Sequence, residues 1–285
     1  MKIDLHMHSN FSACANPDNS WEKLLTLAED NGLEKISITD HNTCIVHVIN
    51  KFKDTRNLFK GKIVPGMECD VVEDGLTFEL LAYNFDVMKI FNWAYETYGT
   101  LEIRQTKIKN KLVKITQNAG FEIDDTVVFN GKVDYAHKYV LENMQKFEKN
   151  KEFFIKYNIE TLSDFYRLST TEKSFPLYMD MNEFWPSVKE VVDAIHNANG
   201  VVVLAHPYNY KANVDPNKLL EICQKYKVDG IEVFHPSCND KQSEYLLNFA
   251  KKHNLIITGG SDYHGKPENN VMGLLENQNE NEITL

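Results

Sequence analysis

Seven apolar runs in this chain, each short enough for a β-strand, contain or end in a histidine or a carboxylate. "KIDLHMH" carries His6 and His8, "KISITDH" carries Asp40 and His41, and "KIVPGME" ends at Glu68. "LTFELLAY" contains Glu79, "VVVLAH" ends at His206, "GIEVFH" holds Glu232 and His235, and "LIITGGSDYH" leads to Asp262 and His264. Apolar packing explains the bodies of these runs but gives no reason for imidazole and carboxylate at their ends. Strands whose carboxyl ends converge on one site, as in βα barrels, do give a reason. Cations that take mixed nitrogen and oxygen ligands require this donor set. His6 and His8 occupy alternate positions, so on a strand they share a face. Such a pair is either two ligands of one ion or a polar strand surface, and the pair alone does not choose.

Between these runs lie helical stretches. Trp21–Asn31 is predicted as a helix stopped by Gly32. Ser187 and Glu190 form a capping box before Val188, Val191, Val192 and Ile195 at helical spacing, and Gly200 ends that helix. Pro216–Tyr226 and Asp240–His253 follow as helices. Helix-linked apolar strands favour a parallel sheet or barrel, hence the α/β class. Pro65 predicts a strand edge or bulge in its run. Residues 86–186 differ: they are rich in Lys, Asn, Phe and Tyr, and "RQTKIKNKLVKI" is amphipathic through Ile108, Leu112 and Ile115. The expected organisation is a core of residues 1–85 and 187–285 interrupted by a helical insertion, 86–186.

The net charge of −10 argues against a general binder of long nucleic acid, although bound cations would reverse the field locally. No run approaches 18 apolar residues, so no membrane partner is expected. Five cysteines without CxxC spacing suit a reducing, cytoplasmic compartment. Cys14, Cys44 and Cys69, beside the polar motifs, read as small core fillers. Neither a G-x-S-x-G elbow nor a Walker loop is present.

The ordered set "DLHMHS", "TDHNT", "GMECD", "AHPYNY" and "GGSDYHG" resembles the PHP family, named for polymerase and histidinol phosphatase, over roughly residues 1 to 84 and 187 to 275. The resemblance implies a distorted (β/α)7 barrel with two divalent ions, and a third position, at its mouth; manganese, zinc and iron are the candidate metals. It further implies that His6, His8, Glu68 and Asp262 hold one ion, that Glu68 bridges to a second held also by His206, and that His41 and His264 belong to the third. Asp40, from its place in "TDHNT", is counted with these ligands. Two departures stand out. Where the family has Asp or His five residues after the second motif histidine, this chain has Ala13, which leaves the third position one ligand short. Where a family histidine completes the second position, this chain has Glu79, a carboxylate that favours harder ions.

The helical insertion resembles that of the family's nucleotide-phosphate branch. Arg104, His137 and Lys138 resemble its phosphate-binding positions; charge-assisted contacts from Arg suit phosphate geometry. The implied reaction is hydrolysis of a phosphate ester on a small nucleotide-like metabolite by a hydroxide held between two ions. Asp262 and His235 are the candidate catalytic residues, His235 protonating the leaving oxygen or holding phosphate. Histidinol phosphate or the 5′ end of a short oligonucleotide are alternative substrates. From another class, Ala13 and Glu79 would also suit a metal-binding module that has lost catalysis.

Overall fold

The computed structural model describes residues 2–210, 215–266, 271–274 and 278–285. Among the described residues, eight strands fall into two sheets. β1 (Ile3–Asp4), β2 (Lys35–Ile36) and β3 (Lys62–Ile63) form a parallel sheet in that order. β4 (Gly66–Glu73), β5 (Leu76–Tyr83), β6 (Val201–Leu204), β7 (Gly230–Phe234) and β8 (Ile256–Gly259) form the second. Within it β5 and β6 are antiparallel, whereas β6, β7 and β8 run parallel.

The expected distorted (β/α)7 barrel is not shown as such: among the described residues the strands form two open sheets in a mixed α/β fold. The run around Pro65 divides into β3 and β4, because proline has no N–H for the ladder. That run also continues past Glu68 to Glu73 and turns back through Asp74 and Gly75, both with positive φ (52° and 77°). Two successive left-handed residues make the tight turn that matches strand twist, and Asp-Gly is suited to it. Isolated parallel bridges, Met7 with Tyr263 and His41 with Glu68, join the two sheets at two places. Around the first, the His8 amide donates to Tyr263 O (2.8 Å) and the Asp262 amide to His6 O (2.8 Å). Gly260 permits this approach: a Cβ there would stand 2.4 Å from both N and Cβ of His6.

Helices link the strands. α1 (Trp21–Asp30) is capped by the Ser20 hydroxyl, buries Trp21, Leu24, Leu25 and Ala28, and is followed by Gly32 at φ 68°. Each fully buried leucine on that face contributes roughly 1.5–3 kcal/mol. α2 (Ile45–Phe52) was not anticipated in the sequence, having no side-chain cap and only two turns. α3 (Val87–Tyr98) follows β5. α8 (Val188–Asn197) carries both halves of the Ser187–Glu190 capping box, and α9 (Pro216–Tyr226) and α10 (Asp240–His253) have the predicted bounds. α8 ends through Asn199 at φ 59°, while Gly200 is needed for packing: a Cβ there would press on Ile195, Phe85 and Tyr83.

Two compact units emerge. The first comprises Met1–Val71, Phe78–Thr97 and Pro186–Leu285; the second comprises Val72–Thr77 and Tyr98–Trp185. In the first, Met7, Trp21, Leu24, Ile36, Ile38 and Phe59 pack in one apolar cluster, and Leu5, Val64, Leu81, Tyr83 and Val203 in another. The second contains α4 (Leu101–Asn118), α5 (Ala136–Gln145), α6 (Lys151–Lys156) and α7 (Leu162–Thr171). Among the described residues, no helix is long and apolar enough to cross a membrane.

Candidate metal centre

The segment after β1 places His6 and His8 on one side and Leu5 and Met7, both fully buried, on the other. His6 Nε2 and His8 Nε2 lie 3.1 Å apart. Glu68 Oε2, on β4, is 3.4 Å from the first and 3.3 Å from the second. Asp262 Oδ1, beyond β8, is 3.4 Å and 3.1 Å from the same two nitrogens. These donors form two sets that share the His6 and His8 nitrogens, one completed by Glu68 and the other by Asp262. Donors held about 2 Å from one divalent ion stand roughly 3 to 3.5 Å apart, which the separations within each set match. Glu68's other oxygen, Oε1, meets His206 Nε2 at 2.9 Å, so this carboxylate touches two sets of donors. His41 Nε2 approaches Glu68 Oε2 at 3.2 Å, and His264 Nδ1 lies 3.5 Å from Asp262 Oδ1.

The ring tautomers follow from what stands behind them. His6 Nδ1–H donates to Glu232 Oε1 at 3.0 Å, which leaves the Nε2 lone pair facing the cluster. Glu232 Oε2 accepts the backbone N–H of His206 at 2.8 Å. Glu232 is fully buried and was seen in the sequence as a strand-end carboxylate, yet it was not counted with the ligands. Its carboxylate holds two of them in place instead. His8 is held in a similar way through one intermediary. Its Nδ1 lies 3.2 Å from Ser12 Oγ, whose own proton goes to Asp40 Oδ1 at 2.7 Å.

The Asp40 carboxylate accepts from Ser9 N, Ser9 Oγ and Ser12 Oγ, which places it behind His8. Asp4 has a comparable part beneath the site, accepting from Ser261 Oγ, Ser261 N, Gly273 N and His6 N.

Electrostatics bind the cluster together. Burial opposes ionisation of Glu68 and Asp262, but the surrounding histidines overcome it and hold both carboxyls well below their usual range. Burial also opposes protonation of His41 and His206, yet Glu68 beside them holds both above the usual imidazole value. His264 is raised to about 9, burial being outweighed by Cys14 and Asp262. His8, crowded by burial and by His264, is pushed down to about 3 and stays neutral. For the Cys14 thiol, burial is outweighed by His264 and His41, which together draw it down to about 6. Without protons or cations, these inward lone pairs and carboxylates would repel one another in a buried space. The donor set therefore fits divalent cations.

The remaining candidates lie at different places. Glu79, on β5, is buried in the first unit. His235, just after β7, has Nε2 3.5 Å from Asp262 Oδ2. The Ser237 backbone N–H donates to its Nδ1 at 3.0 Å, so in the neutral ring the proton is on Nε2 and faces the cluster. Arg104 and His137 belong to the second unit, on α4 and α5. Arg104 is buried and donates to Gly99 O at 3.2 Å. His137 is enclosed by Tyr135, Phe165 and Tyr166, and burial pushes it down to about 3. All five cysteines carry free thiols. Cys14 departs from the expected filler: its sulfur is 3.1 Å from His264 Nε2.

The chain is 22% identical over 267 residues to the 5'-3' exoribonuclease Rnm of Escherichia coli, covering 92% of this chain and 84% of that protein. It is 24% identical over 266 residues to the phosphoribosyl 1,2-cyclic phosphate 1,2-diphosphodiesterase of Eggerthella lenta, covering 92% and 94%. A crystal structure of a proposed metal-dependent phosphoesterase from Bifidobacterium adolescentis superposes with a TM-score of 0.66 at 25% identity, over 98% of this chain and 93% of that one. An amidohydrolase structure from Chromobacterium violaceum shares the fold, with a TM-score of 0.68 at 17% identity over 97% and 92%. The PHP domain family matches residues 4–234, a span that contains six of the clustered side chains, His6, His8, His41, Glu68, His206 and Glu232; the chain belongs to the PHP family.

Proposed function

We propose that this chain hydrolyses phosphate esters of small nucleotide-like compounds, with two divalent ions held at the cluster around Glu68. The chain is a metal-dependent phosphoester hydrolase of its family. The observation that carries the substrate-independent part is the convergence of the Glu68 and Asp262 carboxylates on the His6 and His8 nitrogens. In this reading, those four residues hold one ion, and Glu68, His206 and Glu79 hold the second. Divalent ions supply charge neutralisation at phosphate oxygens and a lowered pKa for water.

The protein's own groups do the rest. Glu232 and the Asp40–Ser12 pair fix the two motif imidazoles in the tautomer that offers Nε2. His235 offers Nε2–H toward the same space, which suits it to protonate a departing alkoxide. Asp262 Oδ1 lies 3.1 Å from His8 Nε2 and its Oδ2 lies 3.5 Å from His235 Nε2, so this carboxylate stands between the motif imidazoles and the proposed proton donor. Arg104 and His137, on the second unit, are proposed as phosphate-binding residues, Arg104 on the grounds of its guanidinium. The strands, joined by bridges at Met7–Tyr263 and His41–Glu68, support reading the fold as the distorted barrel that the family resemblance implies. Free thiols throughout suit a cytoplasmic location.

A second reading has support from the names of relatives. Two exoribonucleases, from Escherichia coli and Haemophilus influenzae, each align with 92% of this chain. The 5′ end of an RNA therefore belongs among the substrates, even though the net charge of −10 disfavours broad contact with a long polymer. The test is phosphate or nucleotide release by the manganese-loaded protein. The panel comprises nucleoside monophosphates, a 3′,5′-nucleotide bisphosphate, a cyclic ribose phosphate, histidinol phosphate and 5′-phosphorylated oligoribonucleotides. Asp262→Asn serves as control and is expected to lose most of the turnover while keeping its fold. Full turnover in that variant would remove Asp262 from the site. Silence across the panel with manganese, zinc and iron would favour a metal-binding module without catalysis.

A further inference from the structure

We infer that Cys14, His41 and His264 form a third metal position, and that the cysteine sulfur makes it select zinc or ferrous iron over manganese. Ala13 leaves the carboxylate place of the family pattern empty, and the neighbouring residue fills it in space. The segment from Ser9 to Asn16 is wound tightly, with Ser12 N bonded to Ser9 O (3.0 Å) and Ala15 N to Ser12 O (3.1 Å). Asn16 N then ties this segment to His264 O at 2.9 Å. The result places Cys14 Sγ 3.1 Å from His264 Nε2 and in contact with His41. Donor atoms of His8, Cys14, His41 and His264 all lie within 4.8 Å of one another.

Three details turn this contact into a candidate site. First, His264 Nδ1–H donates to Asp262 O at 2.6 Å, so the lone pair of Nε2 faces the sulfur. Second, the rings are already layered, His264 stacked on His8 at 4.3 Å and His8 on His41 at 4.9 Å between centroids. Third, a tetrahedral zinc keeps imidazole nitrogen and thiolate sulfur about 3.5 Å apart, so seating an ion requires the pair to open by only a few tenths of an ångström. His8 already directs Nε2 to Glu68 and Asp262, which leaves Cys14, His41 and His264 as the protein ligands. All three are partly exposed, so exchangeable ligands have access and the coordination is left open.

A thiolate in place of a carboxylate changes the metal. Manganese binds oxygen-rich sites and stands lowest in the divalent affinity order, whereas sulfur favours zinc and iron. The protein then carries two kinds of site: a pair rich in carboxylate around Glu68 and a single position with sulfur. This inference rests on the phosphoesterase reading only for the identity of the neighbouring pair.

The test uses the full chain, stripped with a chelator and reloaded with manganese, zinc or cobalt alone. Metal per chain, the near-ultraviolet thiolate-to-cobalt absorption band and iodoacetamide labelling of the Cys14 peptide are read on the same samples. Zinc is expected to slow labelling of Cys14 about tenfold or more, the scale on which losing a supporting group alters a metal site. Cobalt is expected to give the band in the parent and not in Cys14→Ala. Cys14→Asp is expected to restore manganese at this position. Equal labelling with and without zinc, together with no band, overturns the proposal even if the protein releases phosphate. A band and zinc protection without phosphate release from any substrate uphold the third position and remove the phosphoesterase reading instead.

Discussion

Glu232 engages both oxygens in holding other ligands, one on the His6 ring and one on the His206 backbone. Glu232→Gln keeps the shape but turns an amide donor toward one of two donors. It is expected to weaken manganese binding roughly 10–100-fold, measured by chelator competition, without loss of secondary structure. Unchanged affinity would show that the carboxylate is idle. Proton occupancy gives a second prediction at this scale. In the metal-free protein His41, His206 and His264 are all raised, so their contribution to stability is complete below the ordinary imidazole value and is lost as pH rises through their raised values, about 9 for His264. Glu68 and Asp262 are depressed, and their contribution is lost only as pH falls through their lowered values. Thermal unfolding with chelator is expected to weaken toward alkaline pH. With manganese bound the imidazoles are already deprotonated, so that alkaline loss is expected to vanish, while metal affinity itself rises over the same range. The paired motif histidines were legible in the sequence because alternate residues of an extended chain share a side. The same rule turns the adjacent Asp40 and His41 to opposite sides. Cys14 was missed because its direction is set by a turn closed through Asn16 and His264, a contact between residues far apart in the chain.

Helices with local signals were read with the least error. Ser187 and Glu190 fix the start of α8 by bonds within four residues, so nothing distant is needed to see it. Ser187→Ala is expected to cost about 0.5–2 kcal/mol in chemical denaturation and to leave metal affinity unaltered. Gly260→Ala makes the opposite test. Its Cβ would meet the His6 backbone, forcing apart the segments after β1 and β8. The expected cost is about 1–3 kcal/mol or more, accompanied by reduced metal content. Normal metal content in that variant would mean that the junction is not what sets the His6–Asp262 spacing. The strand count was less legible. Pro65 marked an irregularity, but whether a proline ends a strand, bulges it or divides it depends on the neighbours of that strand, and those are supplied by distant parts of the chain. The Asp74–Gly75 turn was visible as a dipeptide and was passed over because the preceding run seemed complete at its carboxylate.

At the scale of the molecule, the ligand set is drawn from both ends of the chain. His6, His8, His41 and Glu68 precede the second unit, and His206, Asp262 and His264 follow it. An ion held by such a set binds the folded state and not the unfolded one. At a hundredfold excess over Kd it adds about 2.7 kcal/mol to stability. Chelation is accordingly expected to lower the melting temperature, and readdition of metal to restore it, measured by scanning calorimetry. The bridge between Met7 and Tyr263 also has a consequence in time. During synthesis, roughly 10 to 50 s separate the emergence of His6 from that of Asp262 at ordinary elongation rates. For that interval the first imidazoles exist without the carboxylate that faces them in the finished fold. An ion held by the proposed set would therefore be acquired only after most of the chain has been made.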